Sequence, residues 1–319
     1  MTNLQALGTA DVQALTTAQV SALSSDQVNN LSTGAAGQLA ALTTVQAQSL
    51  TSSQLNGLTA ESVGSLTTGV VRALTTAQVE KLAVAQLDLL SSDQVQAMST
   101  GQVRALTTAQ VSGMAAAQVT NLSSSQVQAL TTGQLNALGQ EAVQGMGTAD
   151  VQALTSTQVS SLGTADVNEL STDQVQALTT AQVRALTSTQ LNGMSMEAVT
   201  ALSSTQLQAL STAQAQSLST VLLNSLTTSQ VPVLNSTSVA AINTTALSAL
   251  GGDQLNALSS TQVQALSSTQ VQALTTAQLA NASSTQLESL SSAQVRVLTS
   301  AQLNGLGVDN LQALGTADL

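Results

Sequence analysis

Large aliphatic residues recur along this chain with a period of eight. Leu178, Leu186, Met194, Leu202 and Leu210 stand eight apart, and Val175, Val183, Leu191, Val199 and Leu207 each precede one of them by three. The octad reads Ser/Thr, Ser/Thr, any residue, Gln, Val/Leu, any residue, a small residue, Leu; its positions are numbered 1 to 8. From Leu42 to Leu314 the phase holds, with position 8 leaving Leu only for Met, Ile242 or Ala282, and Leu7, Leu15, Leu23 and Leu31 keep the same period. The one slip falls in segment 32–41, where extra residues including Gly34 and Gly37 predict a local loop or bulge. The chain thus reads as a single array over 1–319, with a second irregular stretch at 227–250. A short fixed period is the mark of a solenoid, in which each unit buries its apolar face against neighbours.

Neither regular element suits eight residues throughout. A continuous α-helix turns through about 800° in that span, so its apolar stripe would rotate by roughly 80° per repeat. In a strand, positions 5 and 8 would point to opposite faces. The pattern instead predicts an all-α solenoid of short helices, about seven residues each, interrupted and restarted once per octad; a β-solenoid is the alternative. Such helices are too short to stand alone, so stacking must stabilise them. Two or three octads per turn both satisfy the pattern.

The expected helix ends are legible. Position 1 is nearly always a preferred N-cap type, and Gln at position 4 completes a capping box, as in Thr179 with Gln182 and Thr187 with Gln190. Most acids fall at positions 3 or 4, near the positive end of the helix dipole. Arg72, Lys81, Arg104, Arg184 and Arg296 all fall at positions 6 or 7, near the negative end. Octads beginning with Gly carry Asp11, Glu141, Asp150, Asp166, Asp253, Asp309 or Asp318 at position 3 or 4, as if a carboxylate replaced the missing hydroxyl cap; common descent of those octads explains the same pairing. On this helix positions 5, 8 and 1 face inward, with 4 at their flank. Pro232 at position 6, followed by Asn235 and Asn243 at position 1, predicts a kink.

Composition then removes most chemistry. The 319 residues include no Cys, His, Phe, Tyr or Trp, so imidazole, thiol and phenol are absent and the many hydroxyls meet no base. Asp88 with Asp93, and Asp166, Glu169 and Asp173, are the acids closest in sequence, and each reads as an ordinary solvent-facing or helix-start residue. No calcium loop is present. No catalytic, cofactor-binding or metal site is therefore assigned, and no cofactor is expected. A net charge of −11 and the lack of aromatics disfavour nucleic acid as a partner. No apolar run reaches the roughly 20 residues of a membrane span, and the start MTNLQALGTADVQ lacks the pattern of a secretory signal.

The octads LTTAQVQAL, LTTAQVRAL and LSSTQVQAL resemble repeat regions of large bacterial secreted or cell-surface proteins of the haemagglutinin-like and RTX-type adhesins. That resemblance implies export and a passive stalk or filament role. The calcium-binding nonapeptides of the RTX type are absent. The reading is a non-enzymatic structural repeat protein, extracellular or at the bacterial surface, self-associating head to tail. The alternative is a module that uses its Ser/Thr ladder to bind a surface, ice or a glycan.

Overall fold

The computed structural model describes residues 4–34 and 37–314. Among these lie thirty-six α-helices of four to seven residues, from Thr9–Ala14 to Val308–Leu314, one 3-10 helix at Val231–Val233, and no strand. The protein is a repetitive helical solenoid, with essentially one helix per octad. It divides into two compact units, Met1–Leu162 and Gly163–Leu319, and each is built by the same stacking.

Octad 99–106 shows how one unit forms. Ser99 is extended (φ −68°, ψ 156°) and its hydroxyl accepts the Gln102 N–H at 3.2 Å. The Gln102 Oε1 accepts the Ser99 N–H at 2.6 Å, closing the capping box. The helix Thr100–Ala105 ends at Leu106, whose φ of −58° and ψ of 140° turn the chain outward into the next cap. Two consecutive extended residues, Leu106 at position 8 and Thr107 at position 1 (φ −74°, ψ 158°), therefore make this corner. No left-handed residue is needed: Gly34, with φ 95°, is the only described residue at positive φ.

Val103 and Leu106 are buried, as positions 5 and 8 were expected to be, and so is Gln102. Ser99 is exposed. The inward face is thus 4, 5 and 8, which corrects the expectation that position 1 joins it. The cap hydroxyl folds back over its own helix start, while the longer Gln side chain reaches into the stack.

The principal helix pairs lie three octads apart, such as Thr76–Glu80 against Thr100–Ala105, and Thr100–Ala105 against Ser124–Ala129. One pair, Ser188–Asn192 with Thr220–Ser225, is four octads apart. A turn therefore contains between three and four octads, more than either spacing suggested by the sequence.

Both irregular segments keep the register. In the first, Ser32 and Gln38 form the capping box across six residues instead of three, with Ser32 N–H to Gln38 Oε1 at 2.8 Å and Gln38 N–H to Ser32 Oγ at 2.9 Å. The extra residues are looped out between the two partners, as the predicted bulge requires; Ala35 and Ala36 lie outside the described residues. In the second, Pro232 has no N–H to give, and the octad closes as a 3-10 turn with the Val233 N–H on the Gln230 carbonyl at 3.2 Å. The predicted kink is confined to that turn, since Gln230 still makes its capping box with Thr227.

Candidate functional site

The most frequently repeated polar group in the interior is the position-4 glutamine. Its Oε1 caps the helix it belongs to, and its Nε2 donates to the turn before. Gln102 Nε2 lies 2.9 Å from the Val71 carbonyl and 2.7 Å from the Leu74 carbonyl, 31 and 28 residues earlier. Gln126 reaches Val95 and Met98 at the same offsets, and in the second unit Gln206 reaches Val175 and Leu178, and Gln294 reaches Val263 and Leu266. The carbonyls it meets belong to positions 5 and 8, at a helix C-terminus, where intrahelical donors run out. Many helices elsewhere end on a left-handed residue, usually glycine, that satisfies such carbonyls. Here position 8 is almost always a large aliphatic residue that fills the core, and the next turn supplies the donor. A glutamine so placed, such as Gln102, is thus the N-terminal cap of one helix and the C-terminal cap of another, with both its amide nitrogen and its carbonyl oxygen in use.

The bulge supplies an internal check. Gln46 and Gln54 reach back 34 and 31 residues, three more than the later glutamines, so the extra residues are absorbed without shifting the lateral partner.

In several octads where position 4 is not glutamine, another amide does part of its work. Asn235 and Asn243, at position 1, cap Ser238 and Ala246 through Oδ1 at 2.7 and 2.8 Å, and donate through Nδ2 to the Gln208 and Gln216 carbonyls of the turn before. Asparagine at position 6 clamps the following turn instead. Asn192 donates to the Ser217 carbonyl and accepts the Ser219 N–H, both at 2.8 Å, and that octad carries Leu222 at position 4. Asn56 makes the same clamp on Lys81 and Ala83. There the position-4 residue is still glutamine, and Gln86 Oε1 is the one buried side-chain polar atom without a partner among the described residues.

Octads opening with glycine follow a related rule. Asp11 and Asp150 accept the N–H of Gly8 and Gly147 at 2.9 and 3.2 Å. The carboxylate stands in for the glutamine Oε1, and not for the cap hydroxyl as expected. Aspartate is shorter than glutamine and must fold over the first residue, where a Cβ on Gly8 or Gly147 would sit 3.4 or 3.3 Å from its oxygen. At Gly163 the same distance is 3.0 Å, so the fit beside the aspartate ranges from ordinary contact at Gly8 to a tight one at Gly163. Asp318 lies outside the described residues.

The remaining acids form no site. Asp88 and Asp93 are exposed; Asp166 is half-buried at a helix start, Glu169 closes that helix, and Asp173 opens the next. Among the described residues no cluster of three metal-ligating side chains exists, and no helix is long and apolar enough to cross a membrane.

Two shallow polar depressions lie on the first unit. One, of about 290 Å³, is bordered by Arg104, Gln128, Thr131 and Thr155; the other, of about 310 Å³, by Gly34, Ser65, Thr67, Ser91 and Asp93. In the second unit an apolar cavity of about 30 Å³ lies beside Ala282, between Leu258, Leu274, Leu279 and Leu290.

Comparison with known proteins identifies the repeat. The family model described as the ALTTAQ repeat matches residues 2–33, 71–100, 98–132, 129–164, 143–180, 159–196, 231–268, 247–284 and 283–316, together about three quarters of the chain. Its hexapeptide stands verbatim at residues 73–78, and it runs from position 7 through the core leucine and cap to the position-4 glutamine. No curated protein matches the chain.

Proposed function

Because the chain belongs to the ALTTAQ repeat family, we propose that it acts as a non-enzymatic structural element, an extracellular bacterial filament subunit or adhesin stalk. One observation carries this reading: the side chains that recur are consumed by the array itself. Position-1 hydroxyls cap helices, position-4 amides cap helices on two turns, and the aliphatics at 5 and 8 fill the core. What recurs outside is mostly small and sparsely charged, with no recurring base or ligand set beside the hydroxyls.

The same geometry supports self-association: successive turns present interchangeable faces, so a turn of one copy can stack on a turn of a second. The exposed position-2 hydroxyls, such as Thr76, Thr100 and Thr108, favour the rival reading of a module that holds a surface or glycan. Electron microscopy of the purified protein separates the two. End-to-end fibres support the filament, whereas dispersed particles that bind ice or polysaccharide support the module. Immunolabelling of intact producing cells tests the location, and label confined to the cell interior would refute a surface role.

A further inference from the structure

We propose that the array is an extensible tether that yields one turn at a time, each step releasing about 28 residues. This rests on the structural reading above and adds a mechanical role to it. Within each unit the principal helix contacts join octads three or four apart, and the amide rungs span 28 and 31 residues wherever the octad is regular. Opening one turn therefore breaks only the rungs and the layers of position-5 and position-8 contacts that join it to the turns directly before and after it. More distant turns keep theirs.

Helices of four to seven residues do not persist once their stacking partners leave, so a released turn becomes extended chain. The layers are chemically near-identical, and no aromatic cluster or disulfide ties several turns into one block. Yielding in small increments is the consequence for a quasi-one-dimensional stack.

One place is built to yield first. In octad 83–90 the first residue is Ala83, which has no hydroxyl to cap with, and its N–H goes to Asn56 Oδ1 at 2.8 Å. Gln86 keeps its two donors on the Asn56 and Leu58 carbonyls, while its Oε1 is left buried without a donor. Val84 and Leu89 of the same octad are exposed.

The test is single-molecule extension of the full chain, held at both ends under constant force. Lengthening is expected in jumps of about 28 residues or small multiples, each residue adding up to about 3.4 Å of contour and hence roughly 95 Å per turn. Gln102→Leu should shorten the dwell before one step and leave its size unchanged. Ala83→Ser, which restores the cap hydroxyl and gives Gln86 Oε1 a donor as Thr75 gives Gln78, should lengthen the dwell before the first step. A single jump releasing half the chain or more, or continuous lengthening without steps, overturns the proposal. So does a Gln102→Leu chain whose steps are all unaltered. Stepwise extension by a protein found only inside cells would leave the tether standing and remove the surface role.

Discussion

At the scale of the residue, the fold turns on one amide. Gln102 makes three side-chain hydrogen bonds from a buried position, and removing it strands the Ser99 N–H and the Leu74 carbonyl, while the Val71 carbonyl keeps only the Leu74 N–H. Net hydrogen bonds contribute about 1 kcal/mol each, and buried groups left unpaired cost about 1–3 kcal/mol. Gln102→Leu is therefore expected to destabilise by about 2–4 kcal/mol in chemical denaturation, while Gln128→Leu, at the exposed position 6, should stay within about 0.5 kcal/mol. Glutamate is the sharper probe, since it keeps the capping oxygen and loses both donors. Gln102→Glu should be strongly destabilised at neutral pH, because a buried carboxylate would face two carbonyls and its folded-state pKa would be raised. A raised folded pKa means the native state binds the proton more readily, so this variant should gain stability as pH falls from neutral toward the ordinary glutamate range. The parent, with no carboxylate there, should lack that gain. The capping box was legible in the sequence, and because it accounts for glutamine fully it concealed the second role. The signal was nevertheless present: a capping box accepts glutamate equally well, yet no octad has Glu at position 4.

At the scale of the element, the short capped helix and its polarity were readable because they depend on neighbours within eight residues. The corner was less so. Its direction follows from two extended residues whose dihedrals no single side chain announces, and the burial of position 4 in place of position 1 follows from where that corner sends the next turn. The bulge at 32–41 was visible as a phase slip, while the stretched Ser32 to Gln38 capping box was not. Gly37 is held there by contact: a Cβ would stand 2.5 Å from the Ser32 carbonyl and 2.7 Å from that of Thr33. Gly37→Ala should therefore cost more than about 2 kcal/mol, whereas Gly64→Ala, whose Cβ meets nothing within 4 Å, should be neutral or slightly stabilising in the same denaturation assay. Ala282 is the opposite case. The absent leucine leaves a cavity of about 30 Å³, and Ala282→Leu should fill it and stabilise by about 1 kcal/mol, read as a raised denaturation midpoint. An unchanged or lowered midpoint would mean the neighbouring leucines cannot make room.

At the scale of the whole molecule, the partner of each octad was not legible. Octads two, three or four apart carry the same cap, amide and aliphatics, so nothing local says which of them meet. The structure settles it through offsets of 28 and 31 residues, which recur within both units. The same economy kept function out of the sequence: a side chain spent on stacking carries no mark of a ligand. The lateral register is the claim on which the tether and the stalk both depend, and a chain without cysteine allows it to be measured directly. In the second unit the hydroxyl oxygens of Ser188 and Ser217, 29 residues apart, lie 2.6 Å from each other. The double variant Ser188→Cys, Ser217→Cys should close a disulfide rapidly on mild oxidation, while Ser188→Cys with Ser204→Cys, two octads apart, should not. Failure of the first pair to close, or equal closure of both, would contradict the register and the fold built on it.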